Sequence, residues 1–507
     1  MNFGLNIAVT GLMSARRGLY TVGHNVDNTA TPGFSRQTVF QRATDAQFVP
    51  RDGFQGTGTN IYNIERIRDI YLDFKYRAEK PSTNEWEIKN RNLDEVQKTL
   101  AEPTDASFRK YLDDFYKSWE DLTKNPGDMS FREPVRENAR AFAKHVNEVA
   151  SRLLKQQKDV LKEAFNAVDQ VNSLATQIAD LNKQIFMSET DGRMANDLRD
   201  RRDMMIDKLA EYVDINATEV DMKTLDGKEV KVMDVSVGGI SLVNHIYTSE
   251  IKLVPSENDP TLPYPGGPTL DGHEAYVLKW SNDTEVELRS GMTKGLMDLY
   301  NGSGENNSFR GIRFYRNKLD EFAYGYVNEF NRQHIIGYTL RDLENTNPSN
   351  KGETNIHFFE PLANQHQAAL NMKLSDKIEE SITNIAAATN EAGDPEDNGN
   401  ALAIIKQREN IKFFTGGVSE GTPEDFIKSV VSIVGVDKQQ SNRFYKTQSL
   451  LEHNLDNQRQ QVSGVSLNEE MGDMVKFQKV YTAAAKILTT LDQLLDVTVN
   501  RLGMVGR

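Results

Sequence analysis

None of the 507 residues is a cysteine. That removes disulfide frameworks, CxxC redox motifs, thiolate metal sites and cysteine nucleophiles. It suits a reducing cytoplasm, or a secreted protein that crosses a narrow channel unfolded and uncrosslinked. Positive charge is in deficit: the formal net charge is -14 and the pI is near 5.2. Nucleic acid and anionic membrane surfaces are therefore poor partners. No apolar run approaches the roughly 18 residues of a membrane-spanning helix. The opening "MNFGLNIAVTGLMSARRGLY" carries its charges after its apolar part and has no small-residue cleavage site, so it is not a Sec-type signal peptide.

Catalytic signatures are also missing. The eight histidines are scattered, and His273-Glu274 has no second histidine four residues on. "GFQGTGTN" (53–60) lacks the Lys-Ser/Thr of a P-loop and reads as a turn or β loop. There is no GxSxG. "DLRDRRD" (197–203) reads as a salt-bridged, solvated helix face. We therefore expect no catalytic residue, no cofactor and no metal site, and not an enzyme.

What is present lies at the chain ends. Leu5, Ala8, Leu12, Ala15, Leu19, Val22 and Val26 alternate in steps of three and four, the seam of a coiled coil. Asn25, Asn28, Thr29 and Thr31 then compete with the backbone for hydrogen bonds. Pro32-Gly33 suits the central positions of a type II turn, and the chain restarts extended around Phe34, Ser35 and Arg36. The C-terminus answers with Leu467, Met474, Tyr481, Leu488, Leu495 and Leu502 spaced by sevens, flanked by Met471, Phe477, Ala484 and Leu491. Gly464 and the stretch from Ser466 to Glu469 and Glu470 place a helix start there. Ordering the N-terminal segment costs roughly 1–2 kcal/mol per residue. Its small apolar side chains return at most about 1.5–3 kcal/mol each. Such helices are expected to be mobile alone and ordered in an assembly.

Between the ends the period is first helical. Trp86, Leu93, Val96 and Leu100 form one stripe; Phe108, Tyr111, Leu112, Phe115, Trp119 and Leu122 form another before "NPGD". A third runs from about Pro134 to Ile185, roughly 80 Å of helix at 1.5 Å per residue, closed by "TDG" at 190–192. From Val213 to Gly291 β-branched and alternating residues take over, with "PYPGGPTLDG" as a loop. Helix resumes at "TKGLMDLY" and through "FRGIRFYRNKLDEFAYGYVNEFNRQH"; 341–400 is polar and punctuated, and helix returns from Ala401. The expected fold is mainly α with a β-rich insertion. Coiled-coil-like terminal helices flank an elongated helical-bundle body and one outer β domain, in nested, discontinuous domains. The boundaries are 1–35 for the first assembly helix and turn, 36–212 for the outgoing body and 213–299 for the insertion. The return body spans 300–463, and 464–507 is the closing helix.

The segment "GLNIAVTGLMSARRGLYTVGHNVDNTATPGFSRQTV" resembles the N-terminal signature of the bacterial flagellar rod, hook and hook-associated axial proteins. "SGVSLNEEMGDMVKFQKVYTAAAKILTTLDQLLDVTVNRLG" resembles their C-terminal one. "GFSRQ", "ANDLRDRRDMMIDKLAEYVDI", "VNEFNRQHIIGYTL" and "DNGNALAI" are similar to the hook-associated branch. The resemblance implies a structural adaptor at the hook–filament junction, located on the flagellum outside the cell after type III export. It implies self-association in a helical tube, contacts with hook protein and a second hook-associated protein, and an export chaperone on the C-terminal helix. Leu5, Leu12, Leu19, Val26, Met474, Tyr481, Leu488 and Leu495 are then the expected assembly residues. Asn25, Asn28, Pro32, Gly33, Phe34 and Arg36 would set the turn out of the inner tube. Asp27 would carry a charge at the seam's end. The alternatives are another axial protein of the hook or distal rod, a secreted hydrolase carried on an axial scaffold, or a surface adhesin using the β insertion.

Overall fold

The computed structural model describes residues 2–49, 53–100, 108–189, 193–223, 229–256, 275–305, 308–341, 351–392, 394–410 and 421–498. The "TDG" stop, the "PYPGGPTLDG" loop, His273 and Leu502 lie outside them. Helix α1 (Asn2–Asp27) leads into a β ribbon: β1 (Gln37–Ala43), β2 (Gln47–Val49), β3 (Gly53–Gln55) and β4 (Thr59–Arg66). β1 pairs antiparallel with β4, and β2 with β3. Residues 36–66, expected as part of the helical body, are strands: "QTVFQRA" and "TNIYNIER" are rich in β-branched and aromatic residues. Gly58 lets the ribbon lie on α1. Its φ is 122°, and a Cβ there would overlap the Thr10 hydroxyl.

Helix α2 (Ile70–Leu100) begins well before Trp86 and carries Pro81 inside it. The exposed Ile70, Tyr71 and Phe74 hide this start from a search for an apolar stripe. Helix α3 (Phe108–Leu122) buries Phe108, Leu112, Phe115, Trp119 and Leu122, as its period requires. Helix α4 (Met129–Glu189) has 61 residues, about 90 Å of rod. It starts five residues before Pro134, because the Asp128 carboxylate accepts from the Ser130 N–H at 2.8 Å. Helix α5 (Asn196–Tyr212) turns back along α4.

The insertion is a meander of β5 (Asn216–Lys223), β6 (Glu229–Val237), β7 (Ile240–Asn244) and β8 (Tyr247–Thr248), with a separate antiparallel pair, β9 (Ile251–Pro255) and β10 (Tyr276–Trp280). Its inner residues Val235, Val237, Leu242, Val243 and Trp280 join one apolar core with α4. Asn182 of α4 donates to the carbonyls of Met233 and His245. Helices α6 (Met292–Asn301) and α7 (Ile312–His334) close the body, followed by the short α8 (Ala368–Asn371) and α9 (Asp376–Glu380). Helix α10 (Gly399–Gln407) ends early, and α11 (Pro423–Ser463) starts afresh on the Thr422 cap with Pro423 in its first turn. Helix α12 (Leu467–Asp496) ends the described chain. The nesting is direct: α12 lies on α1, α11 on α2, and α4 packs with α3, α5, α6 and α7 inside.

Candidate functional site where the terminal helices meet the body

The α1–α12 pair is antiparallel and built on small residues. A Cβ on Gly4 would touch Leu491, one on Gly11 would touch Ala484, and one on Gly18 would collide with the Phe477 ring at 2.6 Å. One heptad further on, Asn25 meets Glu470 at 3.0 Å. Ala8, Ala15 and Val22 are buried between these points. The in-chain seam is therefore shifted one residue from Leu5, Leu12, Leu19 and Val26, which are half-buried beside it. On α12, Leu488 and Leu495 are half-buried, and Met474 and Tyr481 are exposed. One residue past a seam position is 100° clockwise on α1, and four past is 40° on the antiparallel α12. The expected residues thus share one flank of the pair. Asp27 is exposed, away from the seam's end.

The turn is formed as its residues require. Helix α1 stops where the Asn28 side chain donates to the His24 carbonyl and the Thr29 hydroxyl to that of Val26. Phe34 N–H donates to the Thr31 carbonyl across Pro32 and Gly33, and Gly33 takes φ 78°. Both Pro32 and Gly33 are exposed, while Phe34 packs edge-on against His24. Asn25 is buried and bridges three elements: it donates to the Gln37 carbonyl, accepts from the Gln37 N–H and donates to Glu470. Arg36 donates through Nε to Glu470 at 2.6 Å, pairs with Glu469, and lies 3.7 Å from Asp473. Its N–H also bonds the Ser463 carbonyl, joining the outgoing and returning strands of chain. Burial opposes the Arg36 charge, but Glu470 and Glu469 outweigh it and raise its pKa.

Beyond Arg36 the contacts pass to α5. Asp200 accepts from the Ser35 N–H and hydroxyl at 3.0 and 2.7 Å. Arg66 donates to Asp200 and Asp203; Arg68 pairs with Asp73 and Asp203; Arg77 with Asp203 and Asp207; Arg459 with Asp207. Burial pushes the Asp203 carboxyl up, but Arg68, Arg77 and Arg66 prevail and hold it well below the usual carboxylate range. The "DLRDRRD" helix is salt-bridged as expected, but it is not solvated: Arg199, Asp200, Arg202 and Asp203 are buried. The partners of its carboxylates come from β4, α2 and α11, far away in sequence, while Arg199 and Arg202 pair nearby with Glu189 of α4 and Glu219 of β5. Such a network adds little net stability, yet removing one member strands a buried charge. It ties the turn, the ribbon, α2 and α11 to α5. Among the described residues no cluster of ligating side chains could hold a metal, and no helix is long and apolar enough to cross a membrane.

Residues 457–502, which span α12, match the model for the flagellar basal body rod FlgEFG protein C-terminal segment. That match, with the paired terminal helices, defines an axial protein of the bacterial flagellum. Residues 93–349 match the flagellar hook-associated protein FlgK helical domain. Flagellar hook-associated protein 1 of Bacillus subtilis strain 168 is 30% identical, with 99% of each chain covered. That of Escherichia coli K12 is 24% identical over 98% of this chain and 99% of its own. The chain belongs to the flagellar hook-associated protein FlgK family, a structural family of the flagellum and not one of enzymes. The flagellar hook junction protein FlgK from Burkholderia pseudomallei shares the fold, with a TM-score of 0.57 at 13% identity over 77% of this chain and all of that one.

The sequence pointed to Asn25, Asn28 and Arg36 but not to Gly4, Gly11, Gly18, Arg66 or Arg68, nor to the burial of Asp203. The glycines carried a signal, since they recur every seven residues inside a helix where glycine is otherwise unfavourable.

Proposed function

We propose that this protein is the adaptor between flexible hook and stiff filament, with its α1–α12 pair set in a tubular wall and its helical body outside. One observation carries the reading. Of the 30 residues in α12, only Glu470 and Ala484 are buried, while Met471, Val475, Val480, Ile487 and Leu494 are exposed. A helix with so little cover gains its stability from neighbours, and copies of the same chain are the neighbours an axial protein has. In this reading 1–35 and 464–507 form the assembly unit, and the body and β insertion face outward. Hook protein contacts one end, and a second hook-associated protein the other. Export runs through the flagellar type III channel, with a cytosolic chaperone covering α12 beforehand. The absence of cysteine is consistent with that route.

Deletion of the gene in its source bacterium tests the role. Complete hooks without filaments, and flagellin lost to the medium, are the expected result. Missing hooks would move the protein to the rod or hook, and normal flagella would remove it from the axis.

A further inference from the structure

The two flanks of the α1–α12 pair differ in shape. On one lies the unpartnered ridge that includes Leu12, Leu19, Met474 and Tyr481. On the other is a groove of about 490 Å³ between α1, β1 and the first half of α12. Its floor includes Gly11, Ser14, Gly18 and Thr21, three residues past or level with seam positions and so on the side away from the ridge. Gly11 and Gly18 are covered by Ala484 and Phe477 of the same chain, so Ser14 and Thr21 are the small side chains of α1 left beside the open groove. Ser14 is the polar point of this floor. It is only 6% exposed, but its hydroxyl opens into the groove and bonds to no other described residue.

We propose that the ridge of one copy seats in the groove of a second copy, with the Tyr481 hydroxyl of one meeting Ser14 of the other. The proposal rests on the axial reading above and names the surfaces that reading leaves open. Three features select a second copy as the occupant. The ridge repeats every seven residues, and so does the floor (Gly11 to Gly18, Ser14 to Thr21). The ridge carries one polar tip, Tyr481, and the floor one unpartnered hydroxyl, Ser14. Ridge and groove lie on opposite flanks of the same pair, so their union is heterologous and propagates into a ring or helix rather than closing as a dimer. The register that puts Tyr481 over Ser14 also puts Met474 over Thr21.

The cysteine-free chain makes the test direct. Full-length Ser14→Cys/Tyr481→Cys and Thr21→Cys/Met474→Cys proteins are made in the source bacterium lacking the native gene, and isolated flagella are oxidised. The expected result is a ladder extending beyond dimers on non-reducing gels from at least one pair. Each single variant should give none, and the outward-facing pair Arg17→Cys/Lys479→Cys should give none. Flagella that contain the double variants but yield no ladder would overturn the ridge-in-groove contact alone. Dimers from Tyr481→Cys by itself would overturn it in favour of ridge against ridge. Absence of the wild-type chain from flagella would overturn the axial reading, and the contact with it.

Discussion

Asn25 and Glu470 are 445 residues apart in the chain and 3.0 Å apart in space, buried at the last heptad of an otherwise apolar seam. Arg36 reaches the other oxygen of the same carboxylate. A buried polar pair in a coiled-coil seam selects one register at some cost in stability. Here it aligns α1 with α12 and couples both to the turn.

Glu470→Ala removes the buried carboxylate shared by Asn25, which keeps only Gln37, and Arg36, which keeps Glu469 at the surface. We expect about 2–4 kcal/mol lost from the pairing, read as faster amide hydrogen exchange in α1 and α12 with unchanged exchange in α4. Equal acceleration in α4 would make Glu470 part of the general core.

Two glycines of one stripe should respond in opposite ways. Gly18→Ala drives a Cβ into the Phe477 ring and is expected to cost about 1–3 kcal/mol, with partial rescue by Phe477→Leu. Gly11→Ala meets Ala484 at an ordinary 3.8 Å and should gain up to about 1 kcal/mol of helix propensity. Hydrogen exchange in α1 ranks the variants; similar effects from both would refute the seam.

Asp203→Asn removes the carboxylate shared by Arg66, Arg68 and Arg77. A loss of about 3–5 kcal/mol is expected, seen as a lower denaturation midpoint. Arg201→Ala, on the exposed face of the same helix, should stay within about 0.5 kcal/mol of the parent.

His334 gives the body a pH dependence of definite sign. It is fully enclosed; its Nδ1–H donates to the Ile356 carbonyl at 2.7 Å, and Nε2 accepts from the Ala386 N–H at 2.9 Å. Burial pushes its pKa down to about 4. The folded state thus holds the neutral ring. Its contribution is whole above the unfolded pKa of about 6.5 and is lost as pH falls from there to about 4, on the order of 3 kcal/mol. His334→Gln should flatten the stability profile across that window.

The residues show where the sequence is readable and where it is not. The stripe from Phe108 to Leu122 was legible because each member is large, apolar and spaced at 3.6. The turn at Asn28–Gly33 was legible because its residue types admit few other conformations. In the terminal seam Ala8, Ala15 and Val22 stand where the pattern put them, but Leu5, Leu12, Leu19 and Val26 lie one residue off, because leucine outranks glycine in any hydrophobic pattern. What decides this seam is closeness of backbones, which Gly18 supplies by having no side chain. The burial of Asp203 was illegible for another reason: its solvation depends on arginines more than 120 residues away in sequence, placed by a ribbon whose strands are short and polar. The start of α2 was hidden because Tyr71 and Phe74 face outward.

The seam joins the first described helix, α1, to the last, α12. Any process that delivers the polypeptide from one end, synthesis included, leaves α1 waiting until nearly every other residue has arrived. Closing a loop of 445 residues is entropically little worse than closing one half as long, about 0.6 kcal/mol, but it cannot begin early. Completion of the terminal pair therefore requires everything between α1 and α12 to be present, and a copy cut short before α12 cannot offer the paired surface at all.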